Sequence, residues 1–129
     1  MNNLSTQLAG LGRRAEALAA VKEAVAVYRG LVAVRPEAFR PDLATSLNNL
    51  STQLAGLGRR AEALAAVEEA VAVYRGLVAV RPEAFRPDLA TSLNNLSVRF
   101  GDLARREEAL AAGEQAVALY RDLADVHPE

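Results

Sequence analysis

The sequence predicts an all-α fold, an α-solenoid of three helix-turn-helix repeats with a 46-residue period and six antiparallel helices. Residues 2–47 and 48–93 differ only at Lys22 against Glu68, and a third, more divergent copy follows. Ala and Leu, the strongest helix formers, dominate the apolar residues. Each helix pair is apolar on more than one side, so neighbouring pairs must stack to cover that surface.

The first helix of each period is predicted from leucines spaced alternately by four and three residues, which places them on one helical face. In the second period these are Leu43, Leu47, Leu50, Leu54 and Leu57. Pro41 suits the first turn of this helix, where a missing N–H costs no hydrogen bond. Gly56 and Gly58 are typical of its end.

The second helix of the period is predicted from about Arg60 to Val80, and Arg81-Pro82 ends it. Its apolar positions are Ala63, Val67, Ala70, Val71, Tyr74, Leu77 and Val78. Because the other periods repeat this pattern, we expect six helices in all. They lie at roughly 2–11, 13–34, 41–57, 59–80, 87–103 and 105–126.

Length and composition narrow the class of protein. A chain of 129 residues fits one domain, 1–129, with repeats at approximately 1–40, 41–86 and 87–129. The net charge of −1 argues against a nucleic-acid partner, and the absence of cysteine excludes disulfides and thiolate metal sites. We find no signal peptide and no apolar run long enough for a membrane span, so we expect a cytoplasmic location without membrane contact.

Catalytic residues are not apparent. The only histidine, His127, has no cysteine or carboxylate constellation around it. The glycines at 10 and 12 lack the preceding strand and the third glycine of a dinucleotide-binding loop. The acidic pairs at 68–69 and 107–108 are typical of solvated helix surfaces. We therefore expect no enzyme activity, no cofactor and no metal.

The repeat resembles the tetratricopeptide family over essentially the whole chain. Residues at the spacing of that signature are Leu47, Leu50, Leu54, Gly58, Ala63, Val67 and Ala70. The stretch 42–50 is still more similar to the long repeats of kinesin light chains, and the Ala/Arg-rich character resembles repeats of large actinobacterial proteins. The resemblance implies a right-handed superhelix that serves as a non-catalytic scaffold for protein partners. Pro82 lies later than in the 34-residue repeat, so the second helix is predicted to be longer.

In this family the first helices line the concave face of the solenoid. Carried over to this sequence, that face contains Asn2, Asn3, Thr6, Thr45, Asn48, Asn49, Thr52, Thr91, Asn94, Asn95 and Val98. Asparagine amides donate and accept, so they can pair with the backbone of an extended peptide, as the resemblance implies. Alternatively, one asparagine of each pair, more readily the second, sets the stacking of neighbouring repeats. A carboxylate-binding groove is not expected, because lysine is absent from these positions.

Arginine pairs recur at the turn between the two helices of each period. Their first members, Arg13, Arg59 and Arg105, form a possible edge stripe for an acidic or phosphate-bearing partner. The interpretation we favour is that Arg60 covers the apolar turn with its stem while Arg59 stays solvated.

The charge distribution suggests a second function, self-association as a homo-oligomer through the solenoid ends. Residues 2–47 carry a net charge of +2, residues 48–93 of 0 and residues 94–129 of −3. Opposite ends of opposite charge favour a head-to-tail contact. Asp122 and Asp125, in place of Gly76 and Ala79, argue against it by adding charge to the last helix. The near identity of the first two periods fits either a recent duplication or a piece trimmed or designed from a longer array.

Overall fold

A computed structural model describes the backbone of residues 3–126, and the side-chain surroundings of residue 10 and residues 12–125. Within that part the chain forms five α-helices and no strand. They are α1 (Asn3–Val34), α2 (Pro36–Gly56), α3 (Arg60–Val80), α4 (Pro82–Asp102) and α5 (Arg106–Val126). The all-α prediction is confirmed. The helix count differs from the six expected, because the first two expected helices are continuous in α1.

The helices α2 and α4 begin five residues earlier than the sequence analysis predicts. Pro36 and Pro82 occupy their first turns, and Pro41 and Pro87 lie inside the helices. A proline at the first helical position loses no hydrogen bond, since that N–H has no helical acceptor. Pro41 removes one internal N–H, and the helix continues through it at that cost.

The turns after α2 and α4 share one hydrogen-bond pattern. The N–H of Arg59 donates to the carbonyl of Leu54 at 2.9 Å, and the N–H of Gly58 donates to that of Ala55 at 3.0 Å. Gly58 has a φ of 78°, the left-handed conformation of a Schellman helix end. At the equivalent position after α4 stands Ala104, with a φ of 59°. A Cβ in this conformation is strained, so the second turn is less favourable than the first.

Alanine at position 58 and glycine at position 104 should change the free energy of unfolding in opposite directions. We expect Gly58→Ala to destabilise the protein by about 1–2 kcal/mol, because alanine is strained at this φ. Ala104→Gly should stabilise it by up to about 1 kcal/mol, because it relieves the same strain at a small entropic cost. Urea unfolding followed by circular dichroism measures both. A loss of stability in both variants would show that the turn conformation is not the cause.

Residues 10–14 and 56–60 are identical in sequence but differ in structure. The second copy turns at Gly58, whereas the first remains helical within α1. Before the turn, α2 has 21 residues whose buried Leu43 and Leu47 hold it against its neighbours. In α1 only seven helical residues precede Gly10. A turn is stable where packing of the helices on both sides offsets the helical hydrogen bonds lost there, and the neighbours of α2 supply that packing at Gly58.

Consecutive helices pack against each other, and α2 also contacts α4. Ala44, Val67 and Ala70 are completely buried, which lets the helices approach closely. Ser51, buried in α2, donates to the carbonyl of Ala63 in α3 at 2.7 Å. Ser97 repeats this bond to Ala109. This is the stacked helical-repeat architecture that the sequence predicts, and none of the described helices has the length and apolar character needed to cross a bilayer.

Candidate functional site

An exposed strip, here called the polar strip, runs along the first helices α2 and α4. It consists of Thr45, Asn49, Thr52, Thr91, Asn95 and Val98. All are exposed except Asn95, which is partly buried. Within each helix the three residues are spaced by four and then three positions, so they share one face. Since α2 contacts α4, the two halves of the strip lie on adjacent helices.

Asn48 is engaged between repeats. Its Nδ2 donates to the hydroxyl of Ser92 at 2.8 Å, and that hydroxyl donates back to its Oδ1 at 3.0 Å. Ser92 is fully buried, so this pair satisfies a hydroxyl that has no access to water. In this period the asparagine that bonds the next repeat is therefore the first, Asn48, and not the second, Asn49, which the sequence analysis favoured.

The threonines form bonds within their own repeats. Thr45 Oγ1 lies 3.0 Å from the hydroxyl of Tyr74, and Thr91 Oγ1 lies 3.4 Å from that of Tyr120. The hydroxyl of Thr52 donates to the carbonyl of Asn48 at 3.2 Å. Burial raises the pKa of Tyr74, while the bond from Thr45 opposes that shift. These bonds leave the amides of Asn49 and Asn95 as the polar groups of the strip for which the described residues supply no bond.

The remaining predicted site residues lie elsewhere or outside the described part. Asn2 is outside the described residues, and so is the side chain of Thr6. Asn94 is exposed and lines a groove beside α5, together with Ser97 and Gly113. Asn48 and Asn94 occupy the same position of the repeat but have different surroundings, because Asn48 bonds Ser92 of the next repeat whereas Asn94 lines the groove.

The arginines at the turns pair locally. Arg59 donates two hydrogen bonds to Glu62, at 2.6 and 2.7 Å, and Arg105 donates two to Glu108, both at 2.6 Å. These bonds lower the pKa of each glutamate below its usual range. An acidic partner would have to compete with carboxylates already bound.

One turn arginine of the third period lies over an aromatic ring. Arg105 lies 4.8 Å from the ring centre of Phe100, whereas Arg60 is exposed. Arg105 occupies the position of Arg59, so in the third period it is the first arginine of the pair that lies over an apolar side chain. Arg13 is exposed within the continuous α1.

Side-chain hydrogen bonds join the second helices of successive repeats, α1 to α3 and α3 to α5, and the sequence analysis did not predict them. Arg29 of α1 donates to Glu69 of α3 at 2.8 Å, and Arg75 of α3 donates to Gln115 of α5 at 2.7 Å. The bond with Glu69 raises the pKa of Arg29. The signal was present as an arginine recurring every 46 residues, followed 40 residues later by an acid or amide.

The outer side of α5 carries apolar residues that are buried at the equivalent positions of α3. Leu110, Val117 and Tyr120 are 64%, 47% and 45% exposed. Their counterparts in α3, Leu64, Val71 and Tyr74, are 5%, 5% and 3% exposed. A groove of about 610 Å³ runs along this side. We call Leu110, Gly113, Val117 and Tyr120 the end face.

Its stacked helix pairs place this chain in the class of helical-repeat proteins. A family model of the tetratricopeptide repeat matches residues 1–32, 43–78 and 89–129. The chain therefore belongs to the tetratricopeptide repeat family, whose members generally act as non-catalytic scaffolds and bind protein partners. A search of curated proteins returned no match. Among the described residues no cluster of His, Cys, Asp and Glu could hold a metal ion.

Proposed function

We propose that the chain is a scaffold whose polar strip holds an extended segment of a protein partner on the concave face of the solenoid. The observation that carries this proposal is that Asn49 is exposed and Asn95 is partly exposed on adjacent helices. Neither amide is used by the hydrogen bonds found within the described residues, so both can donate to and accept from a peptide backbone. Val98, which is 45% exposed, adds apolar surface to the strip.

The binding mode follows from the charge and geometry of the strip. The strip has no charged side chain, so recognition depends on main-chain hydrogen bonds and not on ion pairs. Each hydrogen bond between an asparagine amide and the backbone of the partner contributes about 0.5–1.5 kcal/mol, which suits a partner of moderate affinity. Asn48 and Ser92 hold α2 and α4 in register and so act as positioning residues.

The test uses peptides selected by the intact chain from a random peptide display library. Asn49→Ala combined with Asn95→Ala should weaken binding of the selected peptides by roughly tenfold or more, because two hydrogen bonds are lost. Asn94→Ala is the matched control, since it removes an exposed asparagine of α4 that lies beside α5. Titration calorimetry gives the affinities. Equal losses in both variants, or none in the double variant, would exclude the polar strip as the binding surface.

A second candidate function is self-association through the ends of the solenoid. The end face favours it, because α5 exposes side chains that α3 buries under the following helix. We expect the mass measured by light scattering after size exclusion to rise with protein concentration. It should fall as salt is added, since screening weakens the attraction between ends of opposite charge. A constant mass of 13.7 kDa at all concentrations would argue against this candidate.

A further inference from the structure

The side-chain hydrogen bonds between second helices recur with the repeat. Arg29 binds Glu69, and Arg75 binds Gln115, with one such bond for each pair of successive second helices. The next arginine in this series is Arg121, which is exposed on α5 beside the end face. Its acceptor would belong to a further second helix stacked after α5.

The chain itself contains the acceptor that this position requires. Glu23, Glu69 and Gln115 occupy the same position of the three periods. Glu69 and Gln115 accept from an arginine of the preceding second helix, and Glu23 is exposed on α1. If the 46-residue offset continues into another molecule, Glu23 of that molecule falls opposite Arg121.

We propose that the end face receives the α1 end of a second copy of this chain, with Arg121 bound to Glu23 of that copy. This inference rests on the self-association proposed above and specifies its surface, partner and register. The charges agree with it: the end that contains Glu23 carries +2, and the end that contains Arg121 carries −3. A contact between two α5 ends would bring like charges together and would leave Arg121 without its acceptor.

The apolar part of the contact has an internal precedent. Residues 1–11 repeat residues 47–57, with Met1 in place of Leu47. In the chain, Leu54 of this stretch lies in one buried cluster with Leu18, and Leu50 and Leu57 pack against that cluster. Leu110 occupies the position of Leu18 in the third period. The first residues of a second copy therefore match the surface that Leu110 presents.

Docking in this register requires a turn within α1 of the second copy. The same glycines adopt that turn at Gly56 and Gly58. Burial of the end face supplies the free energy that a straight α1 lacks when it is alone. Because the contact is head-to-tail and does not close on itself, the assembly grows as an open stack.

A charge exchange tests the pairing. Arg121→Glu and Glu23→Arg should each weaken association roughly three- to tenfold, because each places like charges opposite one another. The double variant should return to within about twofold of the original, since the pair is restored with reversed polarity. Sedimentation velocity of the full chain at several concentrations gives the association constants.

A matched pair of apolar variants tests the surface. Val117→Asp should weaken association more than about tenfold, because it places a charge in the apolar contact. Val80→Asp changes an exposed valine of α3 that belongs neither to the end face nor to the polar strip, and it should leave association unchanged. Association that persists in both Arg121→Glu and Val117→Asp would overturn this interface while leaving self-association intact. Absence of association at every concentration would overturn both.

Discussion

Leu64→Ala is expected to lower the free energy of unfolding by about 2–5 kcal/mol, because it opens a cavity in the largest buried cluster. Leu64 is 5% exposed and belongs to the cluster that contains Val67 and Phe100 at the interface of α3 and α4. Few single changes in a chain of this size should cost as much. Denaturation in urea, followed by circular dichroism, measures the loss.

Leu110→Ala supplies the control for this prediction. It removes the same side chain from the same position of the next period, where it is 64% exposed. The free energy of unfolding should change by no more than about 0.5 kcal/mol when it is measured at low protein concentration. Equal losses in the two variants would mean that a helix covers α5 as α4 covers α3.

Asn48→Ala is expected to destabilise the protein by about 1–3 kcal/mol, because it leaves the buried hydroxyl of Ser92 without a partner. The two side chains exchange hydrogen bonds at 2.8 and 3.0 Å across the interface of α2 and α4. Adding Ser92→Ala should recover part of the loss, since the unpaired hydroxyl is then gone. The non-additivity, read from a double-mutant cycle in urea, measures the coupling.

Asn94→Ala tests the same residue type at the same repeat position without a buried partner. Asn94 is exposed beside α5, so its loss should change stability by no more than about 0.5 kcal/mol. If Asn48→Ala proved as harmless as Asn94→Ala, the bond to Ser92 would not hold the repeats together. Asn48 would then return to the candidates for ligand binding.

Much of the candidate site could be predicted from the repeat, but the role of each residue could not. The resemblance to the tetratricopeptide family implies that Thr45, Asn48, Asn49 and Thr52 lie on the concave face. It does not reveal which asparagine meets a buried serine of the next repeat. That depends on the rotation and offset of α2 against α4, which the packing of the small residues sets.

The sequence by itself determined the repeat, the helical class and the apolar faces, because helix propensity and leucine spacing are local properties. Only the tertiary structure decided how identical segments differ. Gly12 stays helical and Gly58 turns, and Leu64 is buried while Leu110 is exposed. The physical reason is that a helical repeat obtains most of its stability from its neighbours. A segment therefore adopts the conformation and burial that the adjacent helices support.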